Sequence, residues 1–432
     1  MELAILGIVA FLVLMLLGMN IGVALLLVGA IGYSLAVSPT AALGLLRTIP
    51  TSQAGTFSLM VIPMFIIMGN FAFAAGLSGG LYDACNKWLS RLPGNLACGT
   101  MMASAGFGTI CGSIIATTAT MGTIAIPEMR KHNYSTRLAT GTVAMGGTMG
   151  NLIPPSTLMI IYCIVAEQSI GRLFAAIIIP GIITAVLAIF TIVILVLINP
   201  GLAPPPHKTP WIVRIKSLTG VIPVVVVFLI VLGGMFSGFF TVNQAACLGA
   251  LTTAIILAVK GRFTWKTFTS VMAKSIQTSA MTFLILIGAT VFCIFLNITG
   301  FPVRLASIVG GFNVPPYVIL IFMTIAYFTL GAFMDELPML VMTIPVFLPI
   351  ILNIGYDAIW FGVYAMLCMD LGSISPPVGL TCFIIAGVAE DVPLTTIFLG
   401  ALPFVGTVVV AIVIVSAFPG LCTFLPNLLF SR

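Results

Sequence analysis

The chain has 432 residues, 60% of them hydrophobic and only 6% charged, where soluble domains carry about 25% charged residues. That balance excludes a soluble globular protein. The net charge of +6 is the ordinary excess of a cytoplasmic membrane face and is no evidence for nucleic acid binding. Many stretches reach the roughly 20 apolar residues that cross a bilayer. The tracts lack alternation at period two, which argues against a barrel. The fold expected is an all-α polytopic membrane protein.

Met1–Val37 is apolar from the start, with no basic leading segment and no clear cleavage site. It reads as two spans, 4–19 and 21–37, turning near Asn20, and not as a removed signal. Further crossings are expected near 56–75, 138–166, 173–199, 218–236, 241–259, 277–299, 356–389 and 394–417. Residues 95–127 and 314–350 look like pairs of half-length helices, each bent at a small-residue cluster. Ser78–Arg91 is short and amphipathic, so it reads as a helix lying in the interface. "GFPVRLASIVGG", with Arg304, is its counterpart at the opposite surface. "NPGLAPPPHKTPW", Asn199–Trp211, is the clearest linker.

Basic residues cluster at Lys87/Arg91, Arg130/Lys131/Arg137, Lys208/Arg214/Lys216 and Lys260/Arg262/Lys266/Lys274. If each half-helix pair enters and leaves on one side, all four clusters face the cytoplasm and Met1 lies outside. The organisation expected is N-terminal scaffold helices (1–55), a first repeat core (56–172), scaffold helices with the central loop (173–260), a second repeat core (261–393) and C-terminal helices (394–432).

The halves echo each other. Gly150-x-x-x-Pro154-Pro155 recurs 222 residues later as Gly372-x-x-x-Pro376-Pro377, and Pro127 recurs as Pro349 at the same offset. Ala166-Glu167 and Pro180 recur 223 residues on, as Ala389-Glu390 and Pro403. Five expected crossings separate equivalent points, so the repeat is inverted, the layout of many secondary transporters. "GNLIPPS" and "GSISPPVG" are then matched helix breaks. In lipid an unpaired backbone group costs several kcal/mol, so such breaks survive only where protein or a watery cavity covers them. A break frees carbonyls for a cation and presents a half-helix N-terminus to an anion. Proline at the start of the second half loses nothing, because its N–H would be unsatisfied there anyway.

The bends carry the other candidates. "GFGTICGSIIATTATMG" is rich in hydroxyls, with Thr109 and Ser113 foremost. Hydroxyls and carbonyls are hard oxygen ligands that suit Na⁺ or hydrogen-bond an organic anion. Close packing by small residues is the alternative. "TLGAFMDELPMLVMTIPVFLP" sets Asp335 and Glu336 in a deeply apolar stretch, where a charge is by default a functional candidate. Asp335 is the expected cation ligand, with Glu336 as the alternative. Asp370 either ligates or orients the second break. Glu167/Gln168 and Glu390/Asp391 read as solvated caps, and Gly76 and Gly300 as hinges or simple helix ends. Nine cysteines are scattered through apolar segments without a C-x-x-C pair and read as free packing residues. No Walker A run, nucleophile–base set, metal-ligand cluster or intramembrane histidine is present, which argues against an enzyme. The absence of a filter-like repeat argues against a channel.

Taken in order, "ICGSIIATTATMGTIAIPEMRK", "GGTMGNLIPPS", "IGRLFAAIIIPG", "GAFMDELPMLVMTIPVFLP" and "LGSISPPVG" resemble the large membrane subunit of the tripartite ATP-independent periplasmic (TRAP) transporters. The likeness runs from Ile62-Pro63-Met64-Phe65 to Pro403. It implies an inverted repeat with two re-entrant hairpins and two broken helices, working as an elevator-type transporter of the bacterial inner membrane. It implies Na⁺ as the coupling ion and no other cofactor. The partners implied are a small four-helix membrane subunit and a soluble periplasmic binding protein that delivers an organic anion: a carboxylate such as a C4-dicarboxylate or sugar acid, or a sulfonate. Carried over by position, Thr109, Gly112 and Ser113 belong to the first hairpin tip, and Gly147, Gly150 and Asn151 to the first break. Gly331 and Asp335 belong to the second tip, and Gly372, Ser373 and Ser375 to the second break, with Pro154, Pro155, Pro376 and Pro377 as break prolines. Ile114-Ile115 and Asn151 depart from the family pattern. The competing reading is a stand-alone Na⁺-coupled carboxylate carrier that needs no binding protein.

Overall fold

A computed structural model describes residues 2–206, 208–311, 315–331, 334–377 and 379–430, without the side chains of 306 and 308–311. Met1, the expected outer terminus, lies outside the described residues. So do His207 in the linker, Ala332 and Phe333 in the second tip, and Val378 in the second break. Among the described residues the chain is helical and contains no strand.

Helices α1 (Glu2–Leu16), α2 (Ile21–Ala36) and α3 (Pro39–Gly55) open the chain. Asn20 caps α2 through its side chain, and Ser38 caps α3 with Pro39 in the first turn. Helix α4 (Val61–Ala74) follows, then α5 (Leu77–Trp88), after Gly76 at φ 64°. The first hairpin is α6 (Asn95–Cys111) and α7 (Ile114–Lys131), and the first broken helix is α8 (Thr136–Leu152) and α9 (Thr157–Val165), bent by 44°. Helix α10 (Ile170–Ile198) leads to the linker. Then come α11 (Trp211–Ser217), α12 (Ile222–Phe228) and, past a π turn, α13 (Gly234–Phe236).

The second half holds α14 (Val242–Val259), α15 (Trp265–Ile298) and α16 (Phe301–Gly311). Its hairpin is α17 (Pro316–Gly331) with α18 (Glu336–Asn353), and its broken helix is α19 (Ala358–Ser373) with α20 (Leu380–Val388). Helices α21 (Leu394–Ala417) and α22 (Gly420–Phe430) close the chain. The Pro154–Pro155 and Pro376–Pro377 bonds are both cis.

Among the described residues six helices are long and apolar enough to cross a bilayer, or eight with the bent pairs counted. Helices α3 and α22 lie outside the expected crossings, and α15 begins well before the expected 277–299.

The leading halves of the broken helices, α8 and α19, are the innermost elements. Every residue from Leu138 to Leu152 is buried, and so is every residue of α19. Glycine, alanine and threonine along α8 let neighbours approach closely, as membrane helix packing requires. The outer helices carry apolar stripes outward at helical spacing. Ile182, Val186, Phe190 and Ile194 do so on α10, and Leu251, Ile255 and Val259 on α14. Such exposure suits lipid or another membrane chain.

Helix α5 packs against the segment that follows the linker. Trp88 meets Trp211 edge-on at 5.9 Å and donates its ring N–H to the Arg214 carbonyl at 3.2 Å. Asp391 is not a free cap: its carboxylate takes two hydrogen bonds from Arg130, at 3.0 and 2.7 Å, joining the end of α7 to the loop after α20. The guanidinium holds the Asp391 carboxyl below its ordinary range. A lowered carboxylate contributes stability that is complete near neutral pH and disappears only as pH falls through that lowered value. Both groups are exposed to solvent, where such pairs contribute little. Asp391→Asn is therefore expected to leave the unfolding midpoint in detergent unchanged at pH 7. A marked drop at pH 7 would give the pair a larger role.

Candidate functional site

Each hairpin tip docks on the break of its own half. Gly112 ends α6 in the left-handed region at φ 58°, and Ser113 turns extended and caps α7. The Thr157 amide, at the start of α9, donates to the Gly112 carbonyl at 3.3 Å. The first break is thus closed by the first tip, which supplies an acceptor for a backbone group the break sets free. Behind this contact Gly150 lies against the tip: a Cβ there would sit 2.8 Å from the Ser113 carbonyl oxygen. Gly147 packs in the same way on Thr118. In the second half Gly331 and Gly372 meet backbone to backbone, each lacking room for a side chain.

A buried polar contact links the first break to the second hairpin. Asn151, in the first break, donates its amide to Glu336 Oε2, at the start of α18, at 2.5 Å. Both residues are buried. Asp370 of α19 is fully buried as well. One oxygen of Glu336 and both of Asp370 are buried and accept no hydrogen bond among the described residues. Uncompensated carboxylates cost several kcal/mol each at such depth. Oxygens so placed call for a proton, a hydrogen-bond donor or a cation.

A cavity of about 340 Å³ opens between the tips, within the range of small-molecule sites. Gly112 and Ser113 line it from the first tip, Asn151 from the first break, and Asp335 and Glu336 from the second tip. Asp335 caps α18 by accepting from the Glu336 amide at 2.8 Å. Another hollow, lined by Phe57, Met60, Met64, Phe240 and their neighbours, has no charged lining and lies away from both breaks.

Of the residues singled out from sequence, Gly112, Ser113, Asn151, Asp335 and Glu336 face this cavity. The others stand behind it. Thr109 is buried and donates to the Gly106 carbonyl at 2.7 Å. Ser373 and Ser375 donate to the carbonyls of Asp370 and Leu371, at 2.9 and 2.5 Å. Gly147, Gly150, Gly331 and Gly372 are the close-approach points that hold tip to break. Polar lining residues that sequence reasoning missed include Asn70 and Lys274. Asn70 of α4 donates to Ser275 Oγ at 2.8 Å, and Lys274 of α15 faces the cavity beside Thr278 and Thr282. The polar run 274, 278, 282 along one helix face was the available signal. The cysteines are all free.

The family description "Tripartite ATP-independent periplasmic transporter, DctM component" matches residues 8–421. The C4-dicarboxylate TRAP transporter large permease protein DctM of Pseudomonas aeruginosa is 31% identical, covering 86% of each chain. The sialic acid TRAP transporter large permease protein SiaM of Vibrio cholerae is 28% identical, covering 86% of this chain and 87% of that one. The isethionate TRAP transporter permease protein DctMQ of Oleidesulfovibrio alaskensis is 32% identical over 78% of this chain and 53% of its own length. Among solved structures, the YdaH transporter of Alcanivorax borkumensis superposes with a TM-score of 0.63 at 16% identity, covering 88% of this chain and 89% of its own. That likeness concerns the fold.

Proposed function

The chain belongs to the DctM-component family of the tripartite ATP-independent periplasmic transporters, the large permease subunits, and from that premise we propose that it imports a small organic anion coupled to Na⁺. One observation carries the coupling. Glu336 and Asp370 are buried and leave three oxygens without a hydrogen-bond partner among the described residues, beside a cavity that Asp335 also lines. Carboxylates so placed attract a cation, and a chain without a nucleotide motif needs an ion gradient to drive uptake. The relatives' names, for C4-dicarboxylate, sialic acid and isethionate, support a carboxylate or sulfonate as substrate. A small membrane subunit and a periplasmic binding protein are the partners proposed.

The mechanism proposed is an elevator. The segments 106–122, 146–156, 329–349 and 370–379 move as a block that keeps the site intact, against a scaffold of 1–55 and 173–260. The close contacts of tip on break support this, because they hold each pair together without a side chain between.

The test is uptake into vesicles holding the permease with its small subunit, driven by binding protein loaded with succinate, isethionate or sialic acid. Removing Na⁺ is expected to lower uptake at least about fivefold, as loss of a coupling free energy of about 1–3 kcal/mol requires, and ATP is expected to have no effect. Undiminished uptake without Na⁺ would sink the coupling. Full uptake without a binding protein would favour the stand-alone carrier.

Asp335→Asn keeps shape and loses charge. The Na⁺ concentration for half-maximal uptake is expected to rise about tenfold, the worth of one charge-assisted contact, with little loss of folded protein. Poor expression with normal Na⁺ dependence per molecule would make Asp335 structural.

A further inference from the structure

We propose that Lys274 is the residue of this cavity that pairs with the anionic head group of the substrate, carboxylate or sulfonate. The inference rests on the functional reading above and names the contact that reading leaves open. Lys274 lies nine residues into α15, roughly 13 Å along it, and lines the cavity that Ser113, Asn151 and Asp335 also line. Among the described residues it takes part in none of the ion pairs, which are Lys87–Asp83, Arg130–Asp391 and His132–Glu128. The contact its ammonium does make is with the face of Phe73, at 5.6 Å. Lys274 is exposed within this cavity and has no acidic partner among the described residues, so its charge is free to meet an anion.

The walls around it are polarised. Lys274 and Asn70 stand on α15 and α4, while Asp335 and Glu336 stand on the second tip. Asn70 spends one amide hydrogen on Ser275 and keeps the other. The ammonium offers three donors and no acceptor. Thr278 and Thr282 donate to carbonyls of their own helix, at 3.0 and 2.9 Å, and present acceptor lone pairs to the cavity. An anion entering this space is drawn to the α15 wall and repelled from the acids. Its polar remainder then faces Ser113 and Asn151. The acids are left to the cation, so the two charges of a symported pair occupy opposite walls.

The test reads the charge of the cavity and the uptake separately. Ile115 is exposed and lines the cavity, so Ile115→Cys, in a chain carrying Cys247→Ala, is a reporter. Its labelling is timed with an anionic thiosulfonate, 2-sulfonatoethyl methanethiosulfonate, against the neutral methyl reagent. Lys274→Gln is expected to lower the anionic-to-neutral rate ratio roughly threefold, the Coulomb effect of one charge at short range in a wet site. Lys274→Arg is expected to preserve it. Excess isethionate or succinate should slow labelling in the Lys274 chain and not in the glutamine variant.

In the vesicle assay, uptake from saturating loaded binding protein should fall about tenfold with Lys274→Gln and return with Lys274→Arg, as loss and recovery of a charge-assisted contact require. The isethionate and succinate arms distinguish a sulfonate from a carboxylate. Only monodisperse protein is compared, and Lys274→Met replaces the glutamine variant if that one does not fold. An equal labelling ratio in all variants, or uptake unchanged in Lys274→Gln, overturns the proposal. Wild-type vesicles that import none of the three anions would refute the functional reading instead, and the labelling ratio would still decide the role of Lys274.

Discussion

Replacing Gly150 with valine is expected to reduce uptake about a hundredfold or more per folded molecule, the scale of loss when a binding constellation shifts by about an ångström. The reason is steric and local. A Cβ at Gly150 would lie 2.8 Å from the Ser113 carbonyl oxygen, 2.9 Å from the Ser113 carbonyl carbon and 2.9 Å from Thr117 Oγ1. None of these can retreat freely. The Ser113 carbonyl accepts the Thr117 amide in the first turn of α7. Valine must therefore push the first tip off the first break, which also stretches the Thr157–Gly112 hydrogen bond. Overpacking of this kind costs about 1–3 kcal/mol, so much of the protein should still fold. The same substitution at Gly406, on α21, meets nothing within 4 Å and should leave both folding and uptake near wild type. The comparison is uptake per monodisperse molecule, with the unfolding midpoint recorded for each variant. If Gly150→Val transports as well as Gly406→Val, the tip does not need its seat on the break.

That seat was partly readable from sequence, for a physical reason. A break in a membrane helix demands glycine and proline, and these stand out in an apolar chain. The recurrence of Gly150–Pro155 as Gly372–Pro377 therefore marks two equivalent elements, and small-residue clusters mark the hairpin bends. Helices of moderate polarity are harder. Helix α3 carries Arg47, Thr48, Thr51, Ser52 and Gln53, so its composition resembles a loop, although Ser38-Pro39 is a fair start signal. The first half of α15 holds Lys266, Lys274 and Gln277, and polarity there reads as the membrane surface. Lys274 then reads as a topology marker, which hides its cavity-facing position.

Contacts between the halves are the least legible. Asn151 and Glu336 are 185 residues apart, and neither periodicity nor local propensity pairs residues at that distance. Their separate oddities are visible, an amide in a break and an acid in an apolar stretch. That one satisfies the other is a property of the packed fold. Similarly, Ser373 and Ser375 look like ligands because hydroxyls in a break are attractive candidates. Their hydrogen bonds to the Asp370 and Leu371 carbonyls instead satisfy the end of α19, a role hydroxyls often take where a helix stops.

Introducing cysteine at Gly69 is expected to lock the transporter. Gly69 sits in the middle of α4, and a Cβ built there lies 3.3 Å from the Cα of native Cys111, at the end of the first hairpin's leading helix. Disulfides need their Cβ atoms about 3.5–4.5 Å apart, and the Cys111 Cβ is at most one bond length further than that Cα, so a single substitution places a partner within bonding reach. The native thiol is buried, which limits competing reactions with outside reagents. Under mild oxidation the Gly69→Cys protein should form a disulfide between the introduced thiol and Cys111, and uptake should stop. Reductant should restore it to the level the variant shows before oxidation. The lock follows from the motion proposed above. If the first hairpin and first break travel with the second pair while α4 stays with the scaffold, the tip slides along α4, and a covalent link between them holds the site on one side of the membrane. Bond formation should also slow when Na⁺ and substrate are cycling, because the tip then spends part of its time away from α4. The yield is read by mass spectrometry of the joined peptides and compared with uptake from the same vesicles. Complete crosslinking with unimpaired uptake would show that the tip and α4 keep their contact throughout the cycle, and would replace the elevator with a fixed site served by local gates.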